Sequence, residues 1–306
     1  MNSQELSNFL EKIRYGRKIT QEDFVDGIVS LRQYQRYRKG ECEIPYEKID
    51  EFAFKLGIPT KKLMHQFEEE KNRQSLLIDL FYNAVVTREQ DKIKQYQDKL
   101  KREVIIDPEK NLYYQHALSY DDLYNQKINK LQFFERNIAL VNYPEILKRA
   151  YFTNIEVLIL SSLLDFEQLS KKDLLLQRLA DLFENSESII GTGDETIETL
   201  ILMRLAKSYG IKHDFASVIH FADLAIERAL NYKRFYLLDH LYYYKAIACF
   251  RLKDIAGFEE ALFHCYNVLH LANLPQKLKH YERLIESDFE IDFDVFILNY
   301  LKKKLK

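Results

Sequence analysis

The sequence predicts an all-α protein in which a small amino-terminal domain of short helices leads into an α-solenoid closed by a carboxyl-terminal capping helix. Three observations carry this. Glycine and proline are scarce, eight and five in 306 residues, against average usage of roughly 7% and 5%, so long helices joined by short turns are expected. Beyond residue 73, apolar residues recur at helical spacing in one segment after another: 74–86, 89–103, 109–126, 128–141, 145–163, 167–184, 195–209, 213–231, 235–252, 255–272, 276–287 and 293–304. No stretch alternates apolar and polar residues for long, so no sheet is predicted.

The first 57 residues hold half of the glycines (Gly16, Gly27, Gly40 and Gly57), and none occurs from 58 to 190. Short helices are therefore expected at 5–15, 21–27, 31–38, 46–56 and 60–64. Thr20 and Ser30 stand where they can cap the second and third, and Gly40 stands where the third must end. The charged run from Gln66 to Arg73 reads as a helical linker. The expected domains are 1–66, a linker at 67–73, a repeat domain at 74–290 and a capping helix at 291–306. Stop signals divide the long helices: Asp107-Pro108, Tyr143-Pro144, Leu274-Pro275 and the turn Gly191-Thr192-Gly193-Asp194, with Asp194 as a cap. Helix pairs that cannot each bury both faces alone read as a solenoid. Ala206, Tyr209, Phe215, Ala222 and Ala225, then Tyr244, Ala248, Phe258 and Ala261, resemble the small-residue and aromatic pattern of tetratricopeptide repeats. The two phenylalanines are 43 residues apart rather than 34, and the consensus Trp is missing.

Composition narrows the function classes. Charge is nearly balanced, 45 Lys+Arg against 47 Asp+Glu, so no global field selects a polyanion. Apolar runs are too short for a membrane span, and residues 1–15 lack the apolar run of a signal peptide. Cys42, Cys249 and Cys265 form no CxxC pair and no even framework, which fits a reducing cytoplasm. GxSxG, HExxH and a Walker loop are all absent, so no enzyme is expected. No cofactor or metal is expected either, since His213, Asp214 and His220 read as polar surface residues rather than as a ligand set.

The third short helix carries the sharpest signal. At ~100° per residue, Tyr34 and Tyr37 share an inward face with Val29 leading in, while Arg32, Gln35 and Arg36 lie opposite and Gln33 flanks them. Residues 31–40 contain four bases, Arg32, Arg36, Arg38 and Lys39, and no acid. An Arg/Gln face suits base edges, Arg forking onto guanine and Gln onto adenine. Five short helices with this one at the centre match a helix-turn-helix domain of the phage-repressor class. Gln21, Ser30, Arg32, Gln33, Gln35, Arg36, Arg38 and Lys39 are the DNA-binding candidates. Arg32 and Arg36 are expected at base edges, and Gln21, Arg38 and Lys39 at phosphates.

Ile19-Thr20-Gln21-Glu22-Asp23-Phe24, Gly27-Ile28-Val29-Ser30, Tyr34-Gln35-Arg36-Tyr37, Gly40 and Phe52-x-x-x-Leu56-Gly57-Ile58 resemble the Xre-type DNA-binding domain. With the helical repeats behind it, the chain resembles the RNPP regulators (Rgg, NprR, PlcR and PrgX). Asp23 to Ser30 is closest in character to the PrgX-like and Rgg-like members. The spacing from Thr20 to Gly40 is one residue shorter than in many phage repressors, and Arg38 stands where many members carry Glu. The motifs cover the first sixty residues or so; architecture and length carry the rest. The resemblance implies a cytoplasmic transcription regulator acting in quorum sensing. Its repeats would form a homodimer and bind a short signalling peptide, and its heads would bind a double-stranded operator.

Polar residues within apolar stripes mark candidate peptide contacts. On the segment 145–163, Glu145, Lys148, Arg149 and Glu156 cluster on one side, and Asn154 and Ser161 lie among Leu147, Ala150, Val157 and Leu158, with Tyr151 nearby. On 195–209, Arg204 and Ser208 lie opposite Glu195 and Glu198. On 235–252, His240 and Tyr244 share a side with Arg251. A buried amide needs a partner: a neighbouring helix can satisfy Asn154 and Arg204, or a peptide backbone and carboxylate can. A second reading, of a different class, is an adaptor whose repeats dock a protein and recruit it to DNA without a peptide ligand.

Overall fold

The computed structural model describes residues 2–101, 103–184, 195–273 and 275–304. Among them the chain is helical throughout, with sixteen α-helices, one 3-10 turn and no strand. The chain falls into two compact units, Met1–Leu140 and Val141–Lys306.

The first unit holds α1 (Ser3–Gly16), α2 (Gln21–Val25), α3 (Leu31–Arg38), α4 (Tyr46–Lys55), α5 (Thr60–Thr87), α6 (Gln90–Leu100), α7 (Pro108–Tyr124) and α8 (Lys130–Leu140). The caps form as the side chains dictate: the Thr20 hydroxyl accepts from the Asp23 N–H at 3.1 Å and Ser30 from Gln33 at 3.1 Å. Gly40, at φ +71°, takes the left-handed step past the end of α3. Leu6, Leu10, Phe24, Tyr34, Phe52 and Leu63 fill one core, with Phe24 stacked on Phe52 at 5.0 Å.

Two features depart from the sequence reading. The helix expected at 60–64 does not stop: α5 runs 28 residues, and the charged 67–73 stretch lies in its middle. Between Pro59 and Pro108 no helix breaker intervenes, and Phe67, Gln74, Ile78, Phe81 and Val85 continue its buried stripe. The second is Ile106, in the break before α7, which is fully buried in the core of the short helices. Side chains satisfy its backbone: Asn8 donates to its C=O at 3.1 Å, and its N–H donates to Gln74 Oε1 at 2.9 Å. Glu103 adds charge to this seam, accepting from Lys12 at 2.8 Å, Gln74 at 3.0 Å and Arg73.

The second unit opens with a 3-10 turn at Glu145–Lys148. There follow α9 (Asn154–Leu163), α10 (Lys172–Glu184), α11 (Glu195–Ile211), α12 (Phe215–Asn231), α13 (Leu238–Arg251), α14 (Ile255–Leu271), α15 (Pro275–Phe289) and α16 (Phe293–Lys304). Helix α11 packs on α9 and on α13, and Tyr243 of α13 meets Tyr281 of α15 edge-on at 5.4 Å, so α9, α11, α13 and α15 make one layer. Helices α10, α12, α14 and α16 stand behind, each packed on a member of that layer or on one another. Ala206, Ala222, Ala225, Ala248 and Ala261 are all buried; these small side chains let the helix backbones approach, as the repeat pattern requires.

The segment 145–163 is not one helix. After the 3-10 turn Arg149 is extended, and Thr153 then caps α9 in a capping box: Glu156 Oε2 accepts from the Thr153 N–H at 2.8 Å and Thr153 Oγ1 from the Glu156 N–H at 3.4 Å. Glu145, Lys148 and Arg149 therefore share no wheel with Glu156, although Arg149 pairs with Glu156 at 2.6 Å across the turn. Helix α10 begins at Lys172 rather than 167, and α13 at Leu238 rather than 235. The turn from Gly191 to Asp194, with its expected cap, and Leu274 lie outside the described residues; Pro275 opens α15. Among the described residues no helix is long and apolar enough to cross a membrane.

Candidate nucleic-acid and peptide interfaces

The eight residues of α3 bury only Tyr34 and Tyr37. That frees its remaining faces. Arg32 is exposed and has no partner among the described residues. Arg36 is half-exposed; it reaches the Gln33 amide oxygen at 3.3 Å and lies 3.6 Å from Glu41. Lys39 is 70% exposed and 3.8 Å from the same Glu41. Exposed pairs of this kind are worth about 0–1 kcal/mol, so a phosphate or a guanine can replace them. Gln33 also donates to Cys42 Sγ at 3.2 Å, and its backbone N–H is held by Ser30, which makes Ser30 the cap of the helix.

Gln21, Gln35 and Arg38 are turned toward a group that the sequence reading did not single out. Glu11 is buried at 5% exposure and accepts from Arg14 Nε at 2.8 Å, Gln21 at 2.8 Å and Tyr34 Oη at 3.0 Å. Gln35 donates to Gln21 Oε1 at 2.8 Å, so α1, α2 and α3 are joined through one carboxylate. Arg38 lies 3.9 Å from Glu11, and its Nε is buried without a hydrogen-bond partner among the described residues. Burial pushes the Glu11 carboxyl up, but hydrogen bonds from Arg14 and Gln21 and the charges of Arg14 and Arg38 outweigh it and hold it below its ordinary value. The same cause, burial beside that carboxylate, raises the Tyr34 hydroxyl. A signal was present: Ser3, Leu6, Ser7, Leu10, Glu11 and Arg14 fall on one helical stripe.

In the second unit the polar candidates divide. Arg204 is 8% exposed and donates to the Leu158 C=O at 3.2 Å and to Ser161 Oγ at 2.9 Å. Ser161 donates back to Leu158 C=O at 2.8 Å, and Ser208 is buried and donates to the Arg204 C=O at 2.8 Å. Arg204 and Ser161 tie α11 to α9, while the Ser208 bond stays within α11, and any role for Arg204 as a carboxylate anchor competes with those bonds. Asn154 is half-buried in the first turn of α9, and Tyr151 just before it is exposed. His240 Nδ1 faces the Tyr281 hydroxyl at 2.9 Å, and its ring lies 6.4 Å from that of Tyr244. Burial lowers the His240 pKa and pushes the Tyr244 hydroxyl up to about 12. Apart from Tyr151, which precedes α9, the candidates stand on three adjacent helices of one layer, α9, α11 and α13.

No family model and no curated protein matches the sequence. Solved structures do match. ComR of Streptococcus thermophilus, in complex with DNA and its signalling peptide ComS, aligns over 98% of this chain and 98% of its own, at 13% identity and a TM-score of 0.50. PlcR of Bacillus thuringiensis, in complex with the peptide PapR7 and DNA, aligns over 90% and 98% at 17% identity, with a TM-score of 0.48. The pheromone receptor Rgg2 of Streptococcus dysgalactiae aligns over 91% and 99% at 14% identity, with a TM-score of 0.40. These neighbours are of the RNPP class that the sequence resembles, and the first of them shows the fold: a helix-turn-helix region followed by tetratricopeptide-like repeats.

Proposed function

We propose that the chain is a sequence-specific DNA-binding transcription regulator, acting as a homodimer and controlled by a short signalling peptide bound in its helical repeats. The observation that carries the reading is α3: a rigid, capped helix whose Arg32, Arg36 and Lys39 face solvent with weak partners or none. Arg32 and Arg36 reach base edges, Lys39 holds a phosphate, and Gln21, Gln35 and Arg38 set the helix through Glu11 before they touch DNA. Residues 1–66 are the DNA-binding head in this reading, and the repeats from 74 onward hold the peptide and the dimer contacts.

The peptide lies along α9, α11 and α13. The Asn154 amide pairs with its backbone, while Tyr151, His240 and Tyr244 add contact area, and Arg204, Ser161 and Ser208 hold the wall beneath. An extended peptide brings unpaired N–H and C=O groups, so a carboxamide that can donate and accept together suits it whatever its side chains.

The test is selection from random duplex DNA, followed by band shifts with the selected sequence. Wild type is expected to bind as two chains per duplex, by light scattering of the complex. Arg32→Ala or Arg36→Ala should cost about 1–3 kcal/mol and relax the preference, whereas Lys39→Ala should weaken all sequences alike and lower the salt slope by about 1. Full preference retained in both arginine variants would remove the assignment. A synthetic peptide from a neighbouring small reading frame should change the wild-type affinity; Asn154→Ala should blunt that response.

A further inference from the structure

The second unit contains a pocket that the candidate peptide contacts do not include. It has a volume of about 460 Å³ and lies between the turn that joins α12 to α13, the last turns of α14 and the first turn of α15. Its rim is apolar, formed by Phe235, Tyr236, Leu237, Val268 and Leu271. Phe235 and Leu271 are 61% and 74% exposed, a grouping of large side chains that a surface rarely leaves uncovered. Leu237, at φ +63°, holds a left-handed conformation that costs a residue with a side chain; such strain collects at ligand sites.

A single carboxylate lies at the base. Asp239 is 3% exposed, and its backbone C=O accepts from the Cys265 thiol at 3.5 Å. Lys277 Nζ stands 2.7 Å from Asp239 Oδ2, His240 Nε2 stands 3.9 Å from it, and the Tyr281 hydroxyl hydrogen-bonds the same carboxylate; among the described residues no hydrogen bond of good geometry reaches Oδ2 itself. A carboxylate offers about four acceptor sites, so the group has capacity left for a donor. Lys277 is one-third exposed at the end of a flexible stem, and an incoming cation can take its place while it swings into water.

We infer that this pocket binds a primary ammonium carried on a large apolar group. The ammonium sits on Asp239, and the apolar group lies among Phe235, Leu237 and Leu271. Two sources share this chemistry, the free amino terminus of a peptide with an apolar first residue and a small hydrophobic amine. The peptide terminus is the source that agrees with the proposed function, and the choice of source rests on that reading. An amino terminus bound here fixes the direction of the peptide and selects its first residue, which backbone pairing alone does not do.

The experiment is calorimetry on the full chain with three probes: the tripeptide amide Phe-Ala-Ala-NH₂, its N-acetylated form, and phenethylamine. The free-amine tripeptide is expected to bind, and acetylation should weaken it at least about tenfold, the worth of a charge-assisted pair. Asp239→Asn should do the same. Leu271→Ser and Phe235→Ala, at exposed positions that do not endanger folding, should each weaken it about threefold through lost apolar contact. The inference is overturned if the acetylated probe binds equally well, if neither exposed substitution weakens binding, or if no probe binds at about 10 mM, the floor of specific recognition. Phenethylamine binding as tightly as the tripeptide would support the ammonium site and overturn the peptide source. None of these probes touches α3, so failure here leaves the DNA selection to stand or fall separately.

Discussion

Helices α3 and α11 both present arginines as candidate contacts, and their surroundings are opposite. On α3 only two of eight residues are buried, so Arg32 stays in solvent without a partner among the described residues and Arg36 stays half-exposed beside partners that water already screens. Helix α11 is packed by α9, α10, α12 and α13, and the face that carries Arg204 is covered. Arg204 is accordingly buried and bonded to Leu158 and Ser161. The same side chain is left free for a ligand in one setting and is a tie between helices in the other. The difference lies in how many neighbours the helix must satisfy.

The comparison can be broken or sharpened by substitution. The largest effect is expected at Ile106→Ala. Emptying a fully buried site that completes the core of the short helices should cost about 2–5 kcal/mol, read from urea unfolding. A loss under 1 kcal/mol would mean that the short helices do not depend on the residue from beyond them. Next comes Arg204→Met, which removes the donor to Ser161 Oγ and one of the donors to the Leu158 carbonyl and should cost about 1–3 kcal/mol. Arg32→Ala should leave the unfolding midpoint unchanged while it impairs DNA preference. Equal destabilisation by the two substitutions would erase the contrast between the helices.

The smallest effect is a pH dependence. Glu11 has a folded-state pKa below its ordinary value of 4.5, because its hydrogen bonds and cationic neighbours outweigh burial. Its contribution is therefore present in full above that ordinary value and is lost as pH falls through the lower folded value. Glu11→Gln exchanges charge-assisted bonds for neutral ones and should cost about 1 kcal/mol at pH 7. The stability difference between variant and wild type should then shrink as the pH approaches 3. A difference that stays constant across that range would show that the Glu11 charge does no work in the fold.

The head was the more legible part. Thr20, Ser30 and Gly40 announce their caps and turn through local chemistry, and the α3 wheel separates Tyr34 and Tyr37 from Arg32 and Arg36 within two turns. The repeat unit was legible as a series of helices, and Ala206, Ala222 and Ala248 marked where backbones approach. The break at 145–153 was readable too, since Thr153 and Glu156 spell a capping box, but the apolar spacing on either side concealed it. Asp239 carried no signal: its burial depends on α14 and α15, and a lone acid near a helix start looks like an ordinary dipole partner.

What the sequence by itself determined is what acts over a few residues: helical class, the caps and turns of the short helices, and the polar face of α3. Helical spacing, a hydroxyl before a first turn and a glycine after a last one work through bonds to near neighbours, so they can be read in order along the chain. The tertiary structure alone decided that Ile106 completes a core begun at Leu6, that Glu11 joins three helices and that Arg204 faces Ser161. Each of those outcomes pairs groups far apart in sequence. Which buried polar atom finds a donor, and which surface loses its water, is settled only when distant helices close on one another.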